Sequence, residues 1–386
     1  MNFLLHNPTR LHFGKGKLEN LKNEIKNGTK VLLTYGSGNI KKFGLYDEVV
    51  KILKELNCEV HELSGIEPNP KLSSVRKGVE ICKNNNIDLI LAVGGGSVID
   101  ASKAISIGAK SNCDVWDLII KKETPSDRVP LGVVLTLSAT GTEMNPNSVI
   151  TNEETKQKVG FAHPPYTFPV FSILDPTNTF TVPRNQTVNG IVDTISHLLE
   201  QYFNKSENGE LVDRFCESSI SYMMEIAPKL LENLEDYSLR EAMMYTSFVA
   251  LNGSLSVCGG DWSTHGIEHS VSGIFDISHG EGLAIITPHW MKYVARKNPS
   301  KIIKLGERVF KLKKEGISDI DFCDKVADSF KNFFKQIGVS TSLKECGINE
   351  ESLEDLVENT FVLADVIGEY VQLRRDDVRE ILKMSM

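Results

Sequence analysis

Cysteine is sparse in this chain and loosely spread. Its seven cysteines (Cys58, Cys82, Cys113, Cys216, Cys258, Cys323, Cys346) are odd in number and show no C-x-x-C spacing. That excludes a disulfide framework or a zinc knuckle and reads as the reduced thiols of a cytoplasmic protein. Positive charge is also short: 43 Lys and Arg stand against 51 Asp and Glu, a formal net charge of −8. Such a balance argues against a nucleic-acid partner. The basic doublets Lys41-Lys42, Lys121-Lys122 and Arg374-Arg375 read as solvated surface rather than a binding stripe. No apolar run approaches the roughly eighteen residues of a membrane helix. No basic segment followed by an apolar core is present near Met1, so neither secretion nor a membrane partner is expected. Tandem repeats and low-complexity segments are missing as well. What remains is an ordinary soluble composition, 41% hydrophobic and 24% charged, in 386 residues. That length allows two domains with sizeable cores.

One stretch stands out, Asn189 to Phe203. Ile191, Ile195, Leu198, Leu199 and Tyr202 recur at helical spacing and predict a mostly buried helix. Asp193 and His197 lie four apart on it, which puts a carboxylate and an imidazole on one face. A buried charge is costly unless something pairs with it, and a divalent metal ion is one such partner. Further ligands are at hand in the segment Thr264–Gly280, where His265, His269 and His279 bring three of the nine histidines within fifteen residues. Gly266, Gly273 and Gly280 in the same segment would let backbone and ligands approach closely. Periodicity does not choose which of the three histidines bind metal.

Before this region, strands alternate with helices. Phe3 to Phe13 contains Pro8 and reads as an edge or arm strand. Strands are expected at 30–35, 59–63, 88–93, 130–136 and 170–174, with helices near 42–57, 72–85 and 97–108. Strands alternating with helices predict a parallel sheet covered on both faces. After Asp175-Pro176 the pattern turns helical, with helices expected at 186–204, 207–234, 238–257, 278–296, 299–311, 319–336, 350–362 and 375–384. The expected organisation is therefore an α/β, Rossmann-like dinucleotide-binding domain over 1–182 and an all-helical metal and substrate domain over 183–386. The active site is expected in the cleft between them.

Three polar turns follow strands in the first half. Gly36-Ser37-Gly38-Asn39 begins like a dinucleotide fingerprint but lacks the third glycine. In Gly94-Gly95-Gly96-Ser97-Val-Ile-Asp100-Ala-Ser-Lys103, consecutive glycines let the backbone approach a ligand. Ser97 is placed to cap the helix that follows, whose free N–H groups favour a pyrophosphate. Thr136-Leu-Ser138-Ala-Thr140-Gly141-Thr142-Glu143 is the third. Three turns at the carboxyl ends of parallel strands would line one crevice, where open α/β sheets bind ligands.

With these segments in order, the chain resembles the iron-dependent (group III) alcohol dehydrogenases over essentially its full length. It is most similar to their NADP-dependent butanol dehydrogenase and broad aldehyde reductase branch. The matching motifs are Tyr35-Gly-Ser-Gly-Asn-Ile-Lys-Lys42, Gly94-Gly-Gly-Ser-x-x-Asp100-x-x-Lys103, Ser138-Ala-Thr-Gly-Thr-Glu-Met-Asn145, the Asp193/His197 helix and the His265…His279-Gly280 segment. The resemblance implies that Asp193, His197, His265 and His279 bind the metal and that His269 is a non-ligand histidine near the substrate. It implies that Gly94, Gly95, Gly96 and Ser97 bind the pyrophosphate, while Asp100, Thr136, Ser138, Thr142, Asn147 and Lys158 border the cofactor. It also implies a homodimer formed through the N-terminal strand.

One carboxylate and three neutral imidazoles around a divalent ion leave a net charge of about +1 and room for one further oxygen. Four protein ligands plus substrate suit Fe(II), whereas zinc catalytic sites usually keep three, so Fe(II) is expected with Zn(II) as the alternative. The expected reaction is hydride transfer between NADP(H) and a short or medium primary alcohol or aldehyde such as butanol or butanal. His269 is then a proton relay, and Trp262, Phe161 and Leu251 are candidate walls of an apolar pocket. NADP(H) is preferred because Gly36, Ser37, Gly38 and Asn39 carry no acid to repel a 2′-phosphate, and Lys41 lies nearby. An NAD-linked glycerol- or propanediol-type dehydrogenase is the nearest rival, though the glycerol enzymes lack this Asp-plus-three-His pattern. A lyase like the dehydroquinate synthases would want cleft Lys and Arg, and the segment between His265 and His279 has none. A non-catalytic metal- or nucleotide-binding protein would not require both a cofactor crevice and a ligand set with an open position.

Overall fold

Strand β4 (Leu89–Gly94) is buried along its whole length, as a run of Leu, Ile, Leu, Ala and Val must be. In the computed structural model, which describes residues 2–386, it lies inside a six-stranded sheet. The other members are β1 (Arg10–Phe13), β2 (Lys30–Tyr35), β3 (Glu59–Leu63), β5 (Leu131–Leu135) and β8 (Phe171–Leu174). Their order is β1-β8-β5-β4-β2-β3, and every pairing is parallel. Alternate residues sort to two cores. Leu32, Ile90, Ala92 and Val133 pack with Val75, Ile99 and Ile105 from the helices Leu72–Asn85 and Gly96–Gly108. Val31, Leu33, Leu91 and Val93 pack on the opposite side with Val49, Ile52 and Leu53 of the helix Leu45–Glu55. Each such buried aliphatic side chain contributes on the order of 1.5–3 kcal/mol.

β2 is followed by β3 on one side, and the chain then returns to place β4 on the other. This reversal makes a topological switch point between β2 and β4, the place where open α/β sheets leave a crevice at their carboxyl ends. The arm strand is shorter than expected: only Arg10–Phe13 pairs, at the sheet edge, while Phe3, Leu4 and Leu5 are exposed. An antiparallel hairpin, β6 (Asn147–Asn152) and β7 (Gln157–Ala162), was not foreseen.

From Arg184 on, the chain is helical: Arg184–Tyr202, Glu210–Glu232, Tyr237–Leu251, Ser263–Phe275, His279–Ala295, Ser300–Arg308, Asp319–Ile337, Leu353–Thr360 and Arg375–Ser385 are the longer segments. The helix expected to run to 257 stops at Leu251, where Asn252 leads into Gly253 at φ +98°. The helix Ser263–Phe275 went unrecognised because glycine, serine and histidine interrupt its apolar pattern.

Two compact units result. One comprises 6–183 and 234–252, the other 184–233 and 253–386 together with residues 2–5. This differs from an uninterrupted split at 182/183, because Tyr237–Leu251 packs with the sheet: Met244 and Phe248 enter the core that holds Ile99 and Val133. Among the described residues no helix is long and apolar enough to cross a membrane.

Candidate metal centre and cofactor turns

The helix Arg184–Tyr202 is buried on nearly every side, and Asp193 and His197 are 3% and 5% exposed. Their i,i+4 spacing brings His197 Nε2 to 3.5 Å from Asp193 Oδ1. His279 opens the helix His279–Ala295 and places its Nε2 3.6 Å from the same oxygen. A Cβ on Gly280 would overlap the carbonyl oxygen of Asn189, so glycine is needed for the two helices to meet this closely. The His265 ring stacks on that of His197 at 4.9 Å and meets that of His279 at 5.2 Å. Ligand atoms of Asp193, His197 and His265 lie within 4.8 Å of one another. The 3.5 and 3.6 Å spacings are near the ~3.4 Å edge of a tetrahedron whose metal–ligand bonds are about 2.1 Å. His265 Nε2 is buried with no hydrogen-bond partner, a cost that a metal ion would remove. The donor set therefore fits a divalent ion.

Two carboxylates that the sequence reading missed stand behind the imidazoles. Glu200, on the same face as Asp193 and His197, accepts a 2.7 Å hydrogen bond from His265 Nδ1. Glu268 accepts from His279 Nδ1. Burial pushes the His265 imidazolium down, but Glu200, Asp193 and Glu268 outweigh it and raise its pKa. The available signal was a Glu at same-face spacing on a buried helix, seven residues after Asp193 and three after His265.

His269 lies beside the centre, its ring 5.6 Å from that of His279 and 6.4 Å from that of His265. It also falls within 4.8 Å of Glu268 and His279 in a second potential ligand group. Trp262 is 36% exposed, with its ring 5.3 Å from His265 and 6.2 Å from His197. Its φ of +64° is unusual for a bulky residue. Phe161 and Leu251 are different: Phe161 is a core residue of β7, and Leu251 is buried at its helix end near Gly141.

In the sheet unit, the three polar turns follow β2, β4 and β5, which are neighbours in the order β2-β4-β5. Gly96 packs so close to Thr140 that a Cβ would collide with it, which locks the second turn against the third. The helix after β4 starts at Gly96 with Gly95 as its N-cap and no side-chain cap bond. Ser97 therefore lies inside the first turn instead of capping it, because the glycine backbone makes the bend one residue earlier. Asn39 and Ser37 are exposed and Lys41 is half-exposed, whereas Ser138 is buried with no partner for its Oγ.

Asp100, Lys103 and Thr142 form a buried network that also engages the backbone carbonyl of Asn147, an exposed residue. Asp100 accepts from Thr142 Oγ1 at 2.6 Å and from the Val149 N–H at 2.9 Å. Lys103 Nζ donates to the carbonyls of Thr142, Asn145 and Asn147 at 2.6, 2.8 and 2.6 Å. Asp100 thus supports the turn from behind and has its oxygens engaged within the protein. Lys158 is on β7 opposite Thr151, and its charge acts on Asp100.

A family model described as iron-containing alcohol dehydrogenase matches residues 8–176. A second, described as the C-terminal part of the Fe-containing alcohol dehydrogenase family, matches residues 187–386. The probable NADH-dependent butanol dehydrogenase 1 of Bacillus subtilis (strain 168) is 49% identical over 387 residues, 100% of both chains. The NADPH-dependent aldehyde reductase YqhD of Escherichia coli (strain K12) is 37% identical over 362 residues, 92% of each. Among solved structures, NADH-dependent butanol dehydrogenase A of Thermotoga maritima matches with a TM-score of 0.95 at 44% identity, covering 100% of this chain and 98% of that one.

Glu143 generates the first prediction. Burial pushes its carboxyl up to about 7, against the pull of Lys103, and its Oε1 has no hydrogen-bond partner. A carboxyl that holds its proton more tightly when folded contributes stability below its unfolded pKa, and loses it as pH rises towards the folded value. Wild type should therefore lose roughly 1–3 kcal/mol between pH 4.5 and 7 from this group. Glu143→Gln should remove that slope and match or exceed wild type at pH 8. Urea midpoints of both proteins at pH 5 and pH 8 measure the difference.

Proposed function

Because the chain belongs to the iron-containing alcohol dehydrogenase family, we propose that it transfers hydride between NADP(H) and a short or medium primary alcohol or aldehyde, with butanol and butanal as the model pair. It is an alcohol dehydrogenase or aldehyde reductase that uses a nicotinamide cofactor and a metal. The proposed ligands are Asp193, His197, His265 and His279, and Fe(II) is favoured over Zn(II). The observation that carries this reading is the approach of His197 Nε2 and His279 Nε2 to one oxygen of Asp193, beside the buried His265 Nε2.

When bound, the ion supplies Lewis-acid chemistry, polarising a carbonyl or lowering the pKa of an alcohol. The protein's own groups orient the reactants and handle the proton. Trp262, against His197 and His265, is the proposed wall of an apolar pocket. Partly exposed His269 is the proposed relay between the alcohol oxygen and solvent. The turns Gly36–Asn39 and Gly94–Ser97, at the switch point, are the proposed seat of the adenosine and pyrophosphate. Exposed Phe3, Leu4 and Leu5 ahead of β1 support the homodimer implied by the family resemblance. The seven free cysteines support a cytoplasmic setting.

Cofactor choice turns on charge near the first turn. Glu62, at the end of β3, is an acid that the sequence reading did not place there. Its carboxylate accepts from Tyr35 and Tyr46 hydroxyls at 2.5 and 2.6 Å and faces Lys41 at 3.5 Å. These partners occupy and offset its charge, so it repels a 2′-phosphate less than an open acid would. A second reading, NAD(H), draws support from the names of the B. subtilis and T. maritima relatives, whereas the E. coli relative is named for NADPH.

The direct test is nicotinamide absorbance with butyraldehyde, metal-loaded protein and each cofactor in turn. Wild type should turn over with NADPH, while His197→Ala should lose nearly all activity and most bound metal. Full metal occupancy of that variant by elemental analysis would sink the ligand assignment. His269→Ala should keep its metal but lose rate, with an altered pH profile of kcat. An unchanged profile would remove the relay role. Asn39→Asp, nearly isosteric, should raise the KM for NADPH about tenfold, or ~1.4 kcal/mol, by repulsion of the 2′-phosphate, and leave NADH much less affected. A higher kcat/KM for NADH than NADPH in wild type would select the second reading.

A further inference from the structure

We infer that Glu200 and Glu268 are positioning residues of the metal centre, each aiming the Nε2 of one histidine by holding its Nδ1. The inference rests on the metal reading above and extends it to two residues outside the ligand set. An ionised carboxylate can only accept hydrogen bonds, so the proton of each ring is placed on Nδ1. The Nε2 lone pair is then directed away from the carboxylate: in His279 towards Asp193, in His265 into a buried position where it has no hydrogen-bond partner. Neutral imidazole with its lone pair presented is the form a metal requires, and a carboxylate behind the ring makes it a better donor.

Both carboxylates are built in rather than incidental. Glu200 is 1% exposed and Glu268 is 0% exposed. Glu200 also receives the Trp262 N–H at 2.5 Å, the Thr264 hydroxyl at 2.5 Å and the His265 N–H at 3.2 Å. The helix Ser263–Phe275 has Trp262 at its N-cap, a side chain that makes no cap bond. Glu200 supplies that missing cap from another helix, so one carboxylate fixes both the start of the helix and the ring it carries. Glu268 occupies space left by Gly282, where a Cβ would run into its side chain.

The two acids also change the charge of the site. Asp193, Glu200 and Glu268 around a divalent ion give a net charge of about −1, instead of the +1 that the four ligands alone suggest. A cation is therefore held by charge as well as by geometry, and the two contributions are separable. Glu268→Gln keeps an oxygen to accept the Nδ1 proton but removes the charge, whereas Glu268→Ala removes both.

The test uses full-length protein stripped of metal by chelation and titrated with Zn(II) against a chromophoric competitor. A parallel titration with Co(II) reads the ligand geometry from its visible absorption. The expected result is that Glu268→Gln and Glu200→Gln each weaken Zn(II) binding about tenfold, and Glu268→Ala about a hundredfold. The Co(II) bands of Glu268→Ala should shift, and the loss of Zn(II) affinity in each variant should exceed the fall in stability of its metal-free form. Variants that bind Zn(II) within twofold of wild type overturn the inference and leave the metal centre standing. Weaker binding matched by an equal loss of stability in the metal-free protein also overturns it, as a purely structural role. Wild type that takes up no ion overturns the metal reading itself, an outcome distinct from either.

Discussion

A buried carboxylate surrounded by imidazoles is the constraint on which the helical unit depends. Asp193 is almost wholly buried, and an isolated ionised carboxylate there would either take up a proton or destabilise the fold. The surrounding helices are arranged to avoid both. Arg184–Tyr202 carries Asp193, His197 and Glu200 along one face, and Ser263–Phe275 and His279–Ala295 bring the remaining donors to it. Gly280 and Gly282 are small because the contacts with Asn189 and Glu268 leave no room for a side chain. Removing one partner from such a set leaves uncompensated charge, which costs about 3–5 kcal/mol in comparable buried pairs. Packing and chemistry thus impose the same residue choices.

The sheet unit solves a different problem with similar means. Its polar turns must be anchored above strands whose side chains are buried. Lys103 does much of this by gathering three carbonyls of the segment 142–147 around one ammonium, with Asp100 holding Thr142 from the other side. Burial pushes Lys103 down, and Asp100 and Glu143 oppose that shift. Oxygen acceptors on several sides favour the charged form. The turn therefore rests on a buried clamp made by Lys103 and Asp100.

Much of this was legible in the residues, for identifiable reasons. The β4 strand and its glycine turn were readable because an unbroken apolar run followed by three glycines has few alternative folds. Asp193 and His197 were readable because helical spacing puts them on one face. Selecting His265 and His279 over His269 required family resemblance, since all three occur in one short segment. Glu200 and Glu268 were overlooked because an acid on an apolar face is usually read as exposed, and spacing alone does not reveal burial. The hairpin from Asn147 to Ala162 was hidden because its apolar residues are few and its edges polar. Glu62 was missed for a further reason: it is remote in sequence from Lys41 and comes near only through the parallel pairing of β2 and β3.

The assignment of Tyr237–Leu251 to the sheet unit has a consequence for how the protein is made. Amphipathic spacing says that a helix buries one face but not which neighbour it buries it against. Here the neighbour is the sheet, and the intervening residues 184–233 belong to the other unit. A chain emerging from the ribosome folds its early domains first when their sequence is complete. This sheet unit is not complete at Pro183, because Met244 and Phe248 of its core are still unmade. Its nascent form must wait, with that part of its core open, until residue 252 has been synthesised. The two units are consequently interleaved in time as well as in sequence, and neither can be released as a finished half by cutting the chain once.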